Sequence, residues 1–279
     1  MEGQGRFPYR FFVFTFIWAW IIWLPLVLGS RGFIPLGKEF VAQWWLPVTL
    51  LAGFGPALAA LYSLRTLNGK GAVRRHLRGI LDFRLGWKAW IIPIIVLGAC
   101  SYAVYMLPEG WVGPRRGTGF PASFLPVFLL AMIILGGGQE EVGWRGYILD
   151  PLEDRLGPLL GNLVLGVVWA VWHLPLFFIP YTSQASMPFA GFALLMTGWS
   201  CLFSWVRQSS GRRVFSGLYA HGVANTFGSL FPMMDASLDR FWIWVSLNFA
   251  VGLAAMAVRS LKSGQTSTRQ ARPALPAIN

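Results

Sequence analysis

Between residues 9 and 258 the chain alternates long apolar runs with short connections in which the charges collect. The first run, Phe11 to Leu28, contains no charged side chain. An uninterrupted apolar stretch of about 18 residues is long enough for a helix to cross the hydrocarbon core of a bilayer. Eight such runs are marked, at about 9–28, 45–67, 89–107, 124–148, 158–180, 189–206, 215–234 and 241–258. The pattern predicts an all-α polytopic membrane protein of about eight transmembrane helices, with room for a cavity inside the helix bundle. No small-residue cleavage site follows the first run, so it is read as a span and not as a signal peptide.

The connections carry the orientation. The segment from Asn68 to Lys88 is the most basic, with Lys70, Arg74, Arg75, Arg78, Arg84 and Lys88. Cytoplasmic loops are enriched in Lys and Arg. That rule places this segment inside, together with Arg6, Arg10, the Arg207–Arg213 loop and the tail from Arg259, so both termini are predicted cytoplasmic. Tyr181–Pro188 has no charge and Asp235–Arg240 is net acidic, as loops on the far side should be. Residues 80–90 mix apolar and charged side chains, a composition suited to lying along the interface. Asp150–Leu156 reads as a short polar connection. One transmembrane domain, 1–262, is expected, followed by a disordered polar tail, 263–279.

Composition agrees with this reading. Hydrophobic residues make up 55% of the 279 and charged residues 12%, against about a quarter charged in soluble domains. The formal charge of +12 would suggest nucleic acid in a soluble protein, but the loop asymmetry accounts for it here and no nucleic-acid partner is expected. Cys100 and Cys201 lie in apolar runs, where they behave as small hydrophobes and form neither a disulfide framework nor a zinc motif. The Trp-rich segments with Trp18, Trp20, Trp23, Trp44 and Trp45 read as interfacial or packing residues, and Asn248 as packing.

Ionisable groups inside a span are costly and by default mark a functional site. Here they fall in three segments: Leu135–Tyr147 (LGGGQEEVGWRGY), Trp169–Pro175 (WAVWHLP) and Tyr219–Gly228 (YAHGVANTFG). Glu141 and Arg145 are four apart and share a helix face, which suits a structural ion pair. Glu140 points about 100° away from Glu141 around the helix, free to face a cavity. By simple counting along the spans, however, Glu140 and His173 fall at different depths. His221 and Asn225 are also four apart. A carboxylate with an imidazole can activate a water, and a second imidazole with an amide can donate hydrogen bonds to a developing oxyanion. Two His and one Glu could instead ligate zinc, although the H-E-x-x-H signature is absent.

These residues resemble a known family. Glu140–Arg145 (EEVGWR) is similar to the E-E-x-x-x-R motif of the CAAX-prenyl-protease and bacteriocin-processing family of intramembrane proteases. Trp169–His173 (WAVWH) resembles its F-x-x-x-H motif, and His221–Asn225 (HGVAN) its H-x-x-x-N motif. The resemblance covers about 125–230. It implies that Glu140 and His173 activate water and that His221 and Asn225 hold the oxyanion, with Glu141, Arg145 and Trp169 supporting the site. Trp169 stands where the family usually has Phe, which keeps an aromatic wall but alters the pocket. Both a metal-dependent mechanism, with Glu140, His173 and His221 as ligands of a divalent ion such as zinc, and a metal-free glutamate mechanism stay open.

The function expected is therefore an intramembrane endopeptidase, of CAAX type or processing a leader peptide, in a bacterial plasma membrane. Its partners would be membrane lipids and a peptide or lipid-modified protein. The alternatives are a non-catalytic bacteriocin-immunity or peptide-binding membrane protein, in which Glu140→Ala would preserve function, and a proton-coupled transporter. The last would usually show internal repeats, and the sequence shows none.

Overall fold

A computed structural model describes residues 7–233 and 237–270, with side chains through Ser260. Arg6, Asp235 and the end of the expected polar tail lie outside the described residues. The helices that frame the molecule are α1 (Tyr9–Ser30), α2 (Lys38–Ala52), α3 (Gly55–Ile80), α4 (Trp87–Tyr105), α5 (Leu125–Ile134), α6 (Leu149–Trp172), α7 (Phe189–Ser209), α8 (Phe215–Leu230) and α9 (Leu238–Gln270). There is no strand among the described residues.

All eight apolar runs are largely helical, but the breaks fall elsewhere than the runs suggested. Among the described residues six helical stretches are long and apolar enough to cross a membrane: 9–30, 38–80, 87–105, 122–178, 189–209 and 238–260. The protein is accordingly an integral membrane protein. The run at 45–67 is divided between α2 and α3. Pro56 sits in the first turn of α3, and its ring would clash with the carbonyl four residues back, at Ala52, where α2 stops. At 16 residues, α8 spans about 24 Å at 1.5 Å per residue and is short for a bilayer, yet most of it is buried beneath its neighbours.

The runs at 124–148 and 158–180 are joined by helical structure in which only Gly157 breaks the helical backbone inside α6. Gly157 has φ 76° and ψ 163°, a conformation that glycine adopts without a Cβ penalty. The chain folds back there: a Cβ placed on Gly161 would lie 3.1 Å from the backbone nitrogen of Glu153, and Asn162 Nδ2 donates to Glu153 Oε1 at 2.8 Å. Asp150–Leu156, expected as a connection, is thus helical. Its acidic side chains have partners that permit this: Arg207 and Arg212 pair with Asp150 at 2.7 and 2.6 Å, and Arg259 pairs with Glu153. Residues 263–270, expected as disordered tail, continue α9, since adding a residue to an existing helix is far easier than nucleating one.

The basic segments gather at one end of the bundle. Arg213 reaches Asp82 at 3.1 Å while Arg212 holds Asp150, linking the 68–88 segment, the 207–213 loop and the fold-back in α6. The hydrogen bond from Arg84 holds the Asp82 carboxyl well below the usual carboxylate range. Residues 81–86 between α3 and α4 are not helical, and Leu81, Phe83 and Trp87 are exposed beside Arg84 and Lys88.

Elsewhere Arg240 is fully buried. It donates to the carbonyls of Val104, Tyr105, Leu107 and Gly113 at 2.8–3.1 Å, capping the end of α4. The core centres on α7, whose Phe192, Leu195, Trp199 and Phe203 are buried between α6 and α9. Asn248 in α9 accepts from Trp199 Nε1 at 3.0 Å and donates to the Trp244 carbonyl at 2.8 Å, satisfying its amide within the packing. Both cysteines are buried and free.

Candidate active site

The chain between α5 and α6 does not run as a plain helix. After Ile134 it passes through three glycines, a 3-10 turn at Gly138–Glu140, one turn of α-helix at Glu141–Gly143 and a π-helical turn at Trp144–Ile148. Such π turns inside helices are frequent at functional sites. Gly137, at φ 124° and ψ −29°, occupies a region that side-chain-bearing residues avoid. It also passes so close to α8 that a Cβ would lie 2.3 Å from His221 Nε2 and 2.9 Å from Asn225 Nδ2. Only glycine fits.

Three segments distant in sequence converge here. Glu140 Oε2 accepts from Trp169 Nε1 at 2.8 Å and, more weakly, from Trp144 Nε1 at 3.4 Å. Its Oε1 lies 3.9 Å from His173 Nε2. That is too long for a hydrogen bond and suits a water bridging the two. His173 Nδ1 lies 2.9 Å from the Trp169 carbonyl. A carbonyl can only accept, so Nδ1 carries a proton and Nε2 is the ring atom turned towards Glu140. The difference in depth expected between Glu140 and His173 is therefore absent. The α-helix of α6 gives way to a 3-10 turn at Leu174–Phe178, α5 stops well before Glu140, and the fold-back at Gly157 brings the two limbs level.

Glu141, Arg145 and His221 form a second, completely buried group. Arg145 Nη1 lies 3.0 Å from Glu141, and His221 Nδ1 lies 2.9 Å from Glu141 Oε1. The guanidinium is stacked over Trp169 and Phe203, with ring centroids 4.9 and 5.3 Å away. Arg145 Nε and Nη2 have no hydrogen-bond partner, so the aromatic faces supply attraction that hydrogen bonds do not. Asn225 Nδ2 donates to the carbonyl of Gly136. His221 and Asn225 thereby bracket the glycine turn, one turn of α8 apart.

All four residues expected to do chemistry, Glu140, His173, His221 and Asn225, line one cavity of about 210 Å³. Its opposite wall comes from the first two helices, including Trp23, Trp45 and Thr49. Trp23 and Trp45, read from sequence as interfacial or packing residues, thus have a place at the site. Sequence reasoning also missed the donor role of Trp144 and the Glu141–His221 contact. The first was visible only as a Trp four residues after Glu140. The second joins positions 80 apart and had no sequence signal.

Among the described residues no three His, Cys, Asp or Glu side chains converge as a metal-binding group. Glu140 Oε2 is occupied by indole N–H groups and His221 Nδ1 by Glu141. That leaves Glu140 Oε1 and the Nε2 atoms of His173 and His221 without a hydrogen bond among the described residues, and imidazoles held through Nδ1 can present Nε2 to a metal or to a water.

Residues 121–227 match the family model described as type II CAAX prenyl endopeptidase Rce1-like. Over these residues the chain is similar to the Rce1-like family. The matched core contains Glu140, Glu141, Arg145, Trp169, His173, His221 and Asn225. Within the curated relatives, CAAX prenyl protease 2 of Methanococcus maripaludis is 38% identical over 68 residues, 24% of either chain. Lysostaphin resistance protein A of Staphylococcus haemolyticus is 19% identical over 240 residues, 84% of this chain and 61% of that protein. The chain thus spans less than two thirds of the length of both these relatives. The matched stretch excludes the cavity wall built by α1 and α2.

Proposed function

We propose that the protein is an intramembrane endopeptidase that hydrolyses a peptide bond with water activated by Glu140 and His173. The observation that carries this reading is the 3.9 Å gap between Glu140 Oε1 and His173 Nε2, which faces a cavity shared with His221 and Asn225. A water in that gap gives a proton to the carboxylate as its oxygen attacks the peptide carbonyl carbon. Glu141, by accepting the Nδ1 proton of His221, stabilises an imidazolium whose Nε2–H, with Asn225 Nδ2–H, faces the developing oxyanion. The proton held by Glu140 then passes to the leaving amine as the C–N bond breaks. Burial from bulk water strengthens each of these interactions.

The substrate proposed is a peptide or lipid-modified protein segment, processed in the CAAX manner, as the name of the Methanococcus relative suggests, or as a leader peptide. The topology proposed has both termini in the cytoplasm of a bacterial plasma membrane, because the basic segments meet at one end of the bundle. The reading is tested with purified wild type, Glu140→Ala and His173→Ala on a library of prenylated and unmodified peptides, with and without a chelator. Wild type should cleave, and each variant should lose roughly 10²–10⁴-fold while keeping the wild-type melting temperature. A chelator that abolishes cleavage would overturn the metal-free mechanism. A second reading is a non-catalytic immunity or peptide-binding membrane protein, in keeping with the resistance in the name of the relative aligned over 84% of this chain. That reading would prevail if both variants still supported the cellular phenotype and wild type cleaved nothing.

A further inference from the structure

The cavity holds a second polar pair that the hydrolytic chemistry leaves unused. Gln139 precedes Glu140 and is 6% exposed. Its Oε1 accepts the Gly137 N–H at 2.9 Å, which fixes the orientation of the carboxamide, since an NH₂ group cannot accept that proton. Its Nε2 makes no hydrogen bond among the described residues, and the side chain lines the cavity. It packs against the end of α2, where a Cβ on Gly53 would lie 3.0 Å from Nε2.

Thr49, one turn earlier on α2, lines the same cavity, and its buried Oγ1 has no hydrogen-bond partner. Helix threonines commonly return the hydroxyl proton to the carbonyl four residues back. Thr66, Thr197 and Thr226 do so here at 2.7–2.9 Å. Thr49 does not. Among the described residues Thr15 is the other threonine with a buried hydroxyl and no partner, and it does not line this cavity. Among the described residues Thr49 Oγ1 is thus buried without a partner and Gln139 Nε2 is an open donor on the same cavity, and two unsatisfied polar groups beside a candidate catalytic carboxylate call for a ligand.

We propose that Gln139 and Thr49 form a subsite for the main chain of the substrate, binding a peptide group that flanks the scissile bond. The proposal rests on the endopeptidase reading. The carboxamide brings two N–H donors, which fit a peptide carbonyl. The hydroxyl can donate to a carbonyl or accept from an amide N–H. Main-chain recognition of this kind is indifferent to side chains. It would hold a peptide in register across Glu140 without selecting its sequence.

The test uses the full chain in detergent, with a peptide that wild type cleaves and a series carrying one thioamide, a poorer acceptor, at each position around the cleavage site. Thr49→Val removes the hydroxyl at constant shape. Gln139→Glu keeps the acceptor for Gly137 and removes the donor. Each variant should lower kcat/KM about tenfold, the worth of one net hydrogen bond, and Thr49→Val should not lower the melting temperature. At one flanking position the thioamide penalty seen in wild type should vanish in Gln139→Glu. Wild-type rates for both variants, or thioamide penalties unchanged at every position, would overturn the subsite. A wild type that cleaves no peptide would overturn the endopeptidase reading itself, and the subsite with it.

Discussion

Replacing Trp169 by Phe tests how Glu140 is held. The substitution keeps an aromatic ring against Arg145 but removes the indole N–H that Glu140 Oε2 accepts at 2.8 Å. A hydrogen bond to a charged group contributes about 1.5–3 kcal/mol. The remaining donor, Trp144 Nε1 at 3.4 Å, is too long to compensate fully. If the bond orients the carboxylate in the transition state, kcat/KM should fall by roughly 10–150-fold, the same energy expressed as a rate. Trp169 is fully buried, and the smaller ring leaves a void, so some loss of melting temperature is expected. The control is Trp199→Phe, also fully buried and bonded through its indole to Asn248 rather than to Glu140. Cleavage of a quenched peptide by wild type and both variants decides the matter. Equal losses in both variants, or none in Trp169→Phe while Glu140→Ala is inactive, would refute a positioning role for the indole.

Two further outcomes follow from buried charge. Glu141→Gln keeps an oxygen that can accept from Arg145 and His221 but removes the negative charge that pairs with the buried Arg145 guanidinium. Breaking a buried ion pair costs about 3–5 kcal/mol, so a marked drop in melting temperature together with loss of cleavage is expected. Arg240→Met leaves four carbonyls at the end of α4 without their donor. At roughly 1–3 kcal/mol for each carbonyl left dry, thermal unfolding should come several degrees earlier, while surviving folded protein should cleave at the wild-type rate because Arg240 is not part of the cavity.

The sequence made the helices legible because bilayer-length apolar runs leave few other structures possible. It also made the one-turn pairs legible, since Glu141 with Arg145 and His221 with Asn225 follow from helix geometry alone. What it hid were the departures from helix. Around Gly136–Gly138 the helix opens, and Gly137 there passes close against His221 and Asn225. Gly157 looked like the end of a polar connection, whereas its backbone turns one limb onto the other. Contacts such as Trp169 with Glu140, 29 residues apart, depend on that turn and carry no local pattern.

The cavity is assembled from two sources. The groups proposed to react, Glu140, His173, His221 and Asn225, lie inside the family-matched stretch of 121–227. The facing wall, with Trp23, Trp45, Thr49 and Gly53, comes from the first two helices and the turn after them, outside that stretch. Changes in the facing wall can reshape what fits the cavity without disturbing the spacing of the reacting groups, because the α6 fold-back sets that spacing within the core. An ancestral chain could thus exchange its clientele by altering its amino-terminal third while its chemistry stayed fixed.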